Sequence, residues 1–188
     1  MFVLIGLGNP GAQYALNRHN IGFMTIDVIA ESYNFPPFKN KFNALISEGM
    51  IGETKVILCK PLTFMNLSGK SAQTLLQFYK ISLEKVYVIH DDLDVLPGKI
   101  KLKLGGGNGG HNGLSSLDQH IGKDYWRLRL GIGHPGHRDA VTNYVLGNFS
   151  KQDHEWLADI LSTVTREVPA LFTLNSADWL SKVNSRTN

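Results

Sequence analysis

A chain of 188 residues that is 43% hydrophobic, 19% charged and net +3 has enough apolar material for a core and too little charge for a disordered segment. The single cysteine excludes an internal disulfide, no apolar run approaches the length of a bilayer span, and Met1–Gly6 lacks the basic flank and longer apolar stretch of a secretory signal. The expectation is one domain, residues 1–188, in a reducing cytoplasm, with no membrane association and a mild tilt toward anionic partners.

In chain order, Phe2–Ile5 reads as a strand, followed by the glycine-rich stretch Gly6-Leu7-Gly8-Asn9-Pro10-Gly11. Asn20 is the predicted N-cap of a helix over Ile21–Tyr33, where Ile21, Met24 and Val28 recur at helical spacing. Ala44–Ile46 and Lys55–Leu58 are short strands, and Cys59 beside the latter reads as a buried structural thiol. A helix over Ser71–Tyr79 precedes the strand Val86–Ile89, and Ile100–Leu104 is a further strand. A helix over Leu114–Ile121 leads to the strand Trp126–Ile132, and the tail carries an amphipathic helix over Gln152–Val168, ended or kinked by Pro169, then a short helix near Ser176–Val183. Strands interleaved with helices predict a single-domain α/β fold with a central sheet covered on both faces.

Three motifs imitate cofactor or metal sites. The stretch Gly6 to Gly11 matches a dinucleotide fingerprint, but that loop should open directly into a helix receiving a pyrophosphate, and here a polar segment with Arg18 and His19 intervenes. Gly69-Lys70-Ser71 resembles the end of a phosphate-binding loop, yet Phe64 stands where its first glycine belongs. His134 and His137, and His90 beside Asp91 and Asp92, lack a recognised metal-ligand spacing, so neither metal nor cofactor is expected.

With no G-x-S-x-G elbow and no convincing cysteine nucleophile, hydrolysis would have to proceed through activated water, for which histidine is the natural base. His19 lies where a Gly/Pro/Asn-rich loop meets a helix, a position that can present an imidazole to a cleft; a capping or solvent-facing histidine is the competing reading. Asp91 follows the apolar run Val86–Ile89 and should emerge at a strand's carboxyl end, where open α/β sheets build their clefts. There it can accept from one ring nitrogen and fix the tautomer, or serve only as a turn residue.

Gly6-Leu7-Gly8-Asn9-Pro10-Gly11 with Tyr14 and Arg18-His19-Asn20 resembles the opening signature of the bacterial peptidyl-tRNA hydrolase family. Thr63-Phe64-Met65-Asn66-Leu67-Ser68-Gly69, His90-Asp91-Asp92-Leu93-Asp94, the glycine-rich Gly105 to Gly113 and Arg127-Leu128-Arg129-Leu130-Gly131-Ile132-Gly133-His134-Pro135 resemble its later blocks, in order. The resemblance implies a three-layer α/β/α, phosphorylase/hydrolase-like domain with a twisted mixed sheet, and hydrolysis of the ester joining a peptide to the 3′ end of transfer RNA. It implies His19 as base, Asp91 as its partner, and Asn9, Asn66 and Asn112 as contacts to the peptide and ester-bearing terminus, with Asn9 the candidate for discrimination. Tyr14 and Phe64 resemble positions contacting the RNA terminus, and Met65 suits an adaptable peptide groove. A monomer is expected.

Lys99-Ile100-Lys101-Leu102-Lys103-Leu104 alternates with period two, which puts three lysines on one strand face, and Arg127-Leu128-Arg129-Leu130 repeats the device. Lys101, Lys103 and Arg129, with the glycine-rich loop, form a candidate track for the phosphates of peptidyl-tRNA; a plain solvated face is the alternative. Two other readings compete with the enzyme: a non-catalytic RNA-binding module with a structural His19, and a nucleotide-dependent oxidoreductase built on the glycine fingerprint.

Overall fold

Residues 1–185 are described by a computed structural model; residues 186–188 of the expected domain lie outside the described residues. Seven strands form one mixed sheet: β1 (Phe2–Gly6), β2 (Lys39–Lys41), β3 (Ala44–Ile51), β4 (Thr54–Pro61), β5 (Val86–Asp92), β6 (Ile100–Leu104) and β7 (Trp126–Gly131), in the spatial order β2-β3-β4-β1-β5-β7-β6. The central four, β4, β1, β5 and β7, are parallel, while β2, β3 and β6 run antiparallel to their neighbours. The helices are α1 (Ile21–Ser32), α2 (Ser68–Tyr79), α3 (Asn112–Ile121), α4 (Val141–Val145), α5 (His154–Leu171) and α6 (Ser176–Asn184).

Alternation along the strands divides the core in two. Leu4, Tyr87 and Ile89 join Ile21, Ile26 and Ile29 of α1 with Ile160, Val164 and Trp179 of α5 and α6. Val3, Ile5, Val86 and Val88 face Ala72 and Leu75 of α2 and Leu114 and Leu117 of α3. Period-two side-chain direction accounts for this segregation, and the twice-covered sheet is the three-layer α/β arrangement expected from the sequence. Cys59 is fully buried, and burial pushes its thiol up to about 12.

The parallel centre directs the carboxyl ends of β1, β4, β5 and β7 toward one edge of the sheet. Two glycines draw α1 onto that edge: a Cβ on Gly22 would lie 2.4 Å from the Ile89 carbonyl oxygen, and one on Gly6 would lie 2.3 Å from that of Gly22. Backbone contact this close needs residues without side chains.

Four details depart from expectation. Lys39–Lys41 forms an edge strand with every residue exposed, a pattern without apolar alternation. Val141–Val145 is a short helix outside the predicted set. Asn20 does not cap α1 with its side chain, because that amide is held elsewhere. Pro169 neither precedes nor ends α5, which continues to Leu171. The carbonyl that a proline there leaves without its helical donor, that of Thr165, accepts from the Tyr33 hydroxyl at 2.6 Å.

Candidate active site

The loop after β1 is closed by an amide clamp. The Asn9 N–H donates to Asn20 Oδ1 and Asn20 Nδ2 donates to the Asn9 carbonyl, both at 2.9 Å. This clamp is what engages Asn20, and it shapes the turn Arg18–Asn20 that carries His19 into α1. Asn9 Oδ1 accepts from the Met65 N–H at 2.8 Å, tying the same loop to the segment after β4.

His19 and Asp91, 72 residues apart in sequence, meet at the edge between β1 and β5: His19 Nδ1 stands 2.8 Å from Asp91 Oδ2 and 3.0 Å from Oδ1. A carboxylate accepts, so Nδ1 carries the proton and Nε2 is left to face the cleft. Burial pulls the His19 pKa down, but the charge and hydrogen bond of Asp91 more than offset it, and the imidazole titrates above its ordinary value. Burial conversely favours neutral Asp91; its histidine partners outweigh that and hold the carboxyl well below the usual carboxylate range.

His111 completes the cluster, and sequence reasoning gave it no such role. Its Nδ1 accepts from the Gly113 and Leu114 N–H groups at 3.1 and 3.3 Å, capping α3. An accepting Nδ1 has no proton, so Nε2–H donates to Asp91 Oδ1 at 2.8 Å. No short-range pattern links residue 111 to residue 91; the one usable signal was a histidine immediately before a helix in a loop flanking the cleft. His90, wholly buried, donates from Nδ1 to the Asp91 carbonyl at 2.7 Å, and burial followed by the neighbouring His111 lowers its pKa to about 4. His19, Asp91 and His111 are also residue types that bind metals, with ligand atoms within 4.8 Å of one another. The His19–Asp91 and Asp91–His111 separations are hydrogen-bond lengths, and the bonds account for the donors and acceptors.

A cleft of about 840 Å³ opens over this cluster. Asn9, His19, Phe64, Met65, Asn66, Asp91, Lys103, Asn112 and Arg129 all line it, whereas Tyr14 and Lys101 do not. Phe64 is 55% exposed although apolar, while Met65 is buried. Tyr14 ends a half-exposed turn, Ala12–Tyr14, outside the cleft. The hydrogen bonds of Asn9 among the described residues use its N–H, carbonyl and Oδ1, which leaves Nδ2 as a donor at the cleft wall.

The cationic strands divide. Lys101 and Lys103 are exposed on β6, as is Lys99 just before it, and Arg129 donates from Nε to Asp92 Oδ2 at 2.7 Å. Arg127, grouped with Arg129 as part of an outward face in the sequence reading, is buried at 1% exposure. It donates to Asp118 Oδ1 and to the Gly107 carbonyl, each at 2.9 Å, and packs 4.7 Å from the Tyr125 ring centre. α3 covers the face of β7 at Arg127, through Asp118, whereas Arg129 lies farther along the same face, at the cleft, and keeps part of its side chain in solvent.

A parallel-centred α/β sheet with a buried imidazole–carboxylate pair opening on an amide-lined cleft defines the class, that of hydrolases equipped to use water as nucleophile. Comparison with known proteins narrows it. The peptidyl-tRNA hydrolase family matches residues 3–188. Peptidyl-tRNA hydrolases of Novosphingobium aromaticivorans and Bartonella quintana are 53% and 49% identical to the chain, covering 91% and 100% of it and 90% and 97% of themselves. The crystal structure of the Acinetobacter baumannii peptidyl-tRNA hydrolase superposes with a TM-score of 0.93 at 38% identity, over 98% of this chain and 94% of that one. The chain belongs to the peptidyl-tRNA hydrolase family, and it is a hydrolase acting on ester bonds. No helix among the described residues is long and apolar enough to cross a membrane.

Proposed function

We propose that the protein hydrolyses the ester between a peptide, or an N-blocked aminoacyl group, and the 3′ end of transfer RNA, as a cytoplasmic monomer whose catalytic unit is the single domain 1–188. The observation that carries the reading is the His19 Nδ1–Asp91 carboxylate pair beneath the cleft. Asp91 holds the imidazole with Nε2 unprotonated and stabilises the imidazolium. Nε2 takes a proton from water as the oxygen attacks the ester carbonyl, and the proton returns to the departing ribose oxygen. That alkoxide leaves more readily than an amide nitrogen, so no covalent intermediate is needed. Asn9 Nδ2 and the amides of Asn66 and Asn112 are suited to hold the peptide backbone and developing oxyanion, since an amide donates without adding a charge that would quench the base.

His111 has a supporting role in this reading: its Nε2–H engages Asp91 Oδ1 and limits rotation of the carboxylate. Lys103 and Arg129 flank the cleft, and Lys101 extends the cationic stripe along β6 toward further phosphates. Tyr14 and Phe64 serve the RNA terminus, and Met65 the peptide groove. The test is ester release from N-blocked and unblocked aminoacyl-tRNA by the native chain and by His19→Ala. Expected are turnover of the blocked substrate alone and a loss in kcat of about 10²- to 10⁴-fold in the variant, with binding retained. Equal rates for the two proteins would remove His19 from the mechanism, and tight RNA binding without turnover by the native chain would favour the non-catalytic module.

A further inference from the structure

The turn carrying His19 is held from two sides, and the mechanism uses only one. On the far side, the chain between α4 and α5 lies against residues 16–18. The Phe149 N–H donates to the Leu16 carbonyl at 3.2 Å, and the Arg18 N–H to that of Gly147 at 3.0 Å. Asn17 and Asn148 form an antiparallel bridge, with Asn17 Nδ2 donating to Asn148 Oδ1 at 2.8 Å.

The Arg18 side chain spans this seam. Its guanidinium carbon lies 4.2 Å from the Tyr144 ring centre and 5.9 Å from that of Phe149, Nη1 donates to the Tyr144 carbonyl at 3.2 Å, and Nη2 reaches Asp153 Oδ2 at 3.5 Å. Gly147 makes room: a Cβ there would lie 3.0 Å from Arg18 Nη1 and 3.1 Å from the Asn143 carbonyl oxygen. Val141, Thr142, Val145 and Leu146, on and just after α4, line the cleft that holds His19. A five-residue helix has too few internal hydrogen bonds to stand alone, so the wall depends on its anchors, of which this guanidinium joins the most groups.

We propose that Arg18 is a positioning residue that holds the α4 wall of the substrate cleft in register with the turn bearing His19. The proposal rests on the function given above. Without the side chain, the His19–Asp91 pair and the backbone seam remain, but the wall is in its binding form for only part of the time. Apparent affinity falls by that fraction, whereas the bound complex restores the wall and reacts at nearly the native rate. Arg18 therefore acts on KM, in contrast to the residues that touch the reacting atoms.

The test uses Arg18→Gln, the charge-keeping Arg18→Lys, and Gly147→Ala, which disturbs the same seam from the opposite side. With N-blocked aminoacyl-tRNA, Arg18→Gln is expected to raise KM about tenfold, matching a competent fraction near one-tenth, with kcat within about threefold. Gly147→Ala should change KM in the same direction, and Arg18→Lys should recover part of the loss. Amide exchange is read in parallel on the free proteins: faster exchange at residues 144–149 in Arg18→Gln, with α2 and α3 unchanged, supports the proposal even if the native chain were to turn over no substrate. Unchanged exchange there overturns it, as does a large fall in kcat at native KM, or a native KM in both Arg18→Gln and Gly147→Ala. If Arg18→Gln fails to fold, Arg18→Lys and Gly147→Ala decide: native KM and native exchange in both overturn the proposal.

Discussion

Two buried carboxylates near this sheet edge, Asp118 on α3 and Asp91 at the end of β5, have been given opposite tasks. Asp118 faces Arg127 and the Tyr125 hydroxyl at 2.9 and 2.8 Å; Asp91 faces two imidazoles at 2.8 Å each. A guanidinium does not exchange its proton in ordinary chemistry, so it braces Asp118 and cannot relay a proton, with Arg127 also bonded to the glycine-rich loop. Imidazole exchanges its proton near neutrality, so the second can change charge during a reaction. Burial of an acid does not by itself mark a catalyst; the partner's capacity to give up and regain a proton does.

The comparison can be broken most forcefully at the brace. Arg127→Met leaves Asp118 buried against a neutral neighbour and is expected to cost roughly 3–5 kcal/mol, seen in denaturant unfolding, with kcat changing much less than stability. A stable Arg127→Met protein with abolished turnover would reverse the two assignments. Next in size, Asp91→Asn should lower kcat about a hundredfold, or roughly 2.7 kcal/mol of transition-state stabilisation. Because Asp91 is what raises the His19 pKa against burial, its loss should also move the acid limb of kcat/KM to lower pH, and a limb that stays in place would show that His19 is not the titrating base.

The clusters should also separate by pH. The raised His19 pKa gives stability fully present below 6.5 and lost as pH rises through its folded value, while the depressed Asp91 pKa gives stability present above 3.8 and lost as pH falls through its folded value. The pair is therefore worth most between pH 3.8 and 6.5. The stability difference between native and His19→Ala proteins, followed by thermal unfolding, should be greatest in that window and shrink above it; a difference flat with pH would mean that His19 gains nothing from Asp91. The smallest effect belongs to the exposed lysines: replacing Lys101 and Lys103 together should reduce the salt slope of RNA affinity by about one per lost phosphate contact. An unchanged slope would discredit the β6 track.

What the sequence disclosed follows the range of the interactions involved. The parallel strands were legible because their apolar runs are fully buried, and His19 and Asp91 because each sits where a local pattern changes from apolar to polar. Lys39–Lys41 was not, since a polar edge strand is defined by its partner β3. Arg127 was misread because alternation states only that two faces differ, not what covers each; α3, through Asp118, covers the face at Arg127. Asn20 has the residue type of a helix cap, and only the return of the chain to Asn9 gives its amide different partners. His111 belongs with these, its role arising from a contact 20 positions away.

One consequence of the strand order concerns how the molecule comes into being. β6 precedes β7 in the chain yet pairs only with it, and β7 in turn adds to β5. During synthesis from the amino terminus, His19 and Asp91 leave the ribosome before residues 126–131, whereas the lysine strand, although already made, has no partner until those residues arrive. The nascent chain thus contains the histidine and its carboxylate partner before it can seat the lysine strand, and the two halves of the cleft are joined only by the last strand to be made.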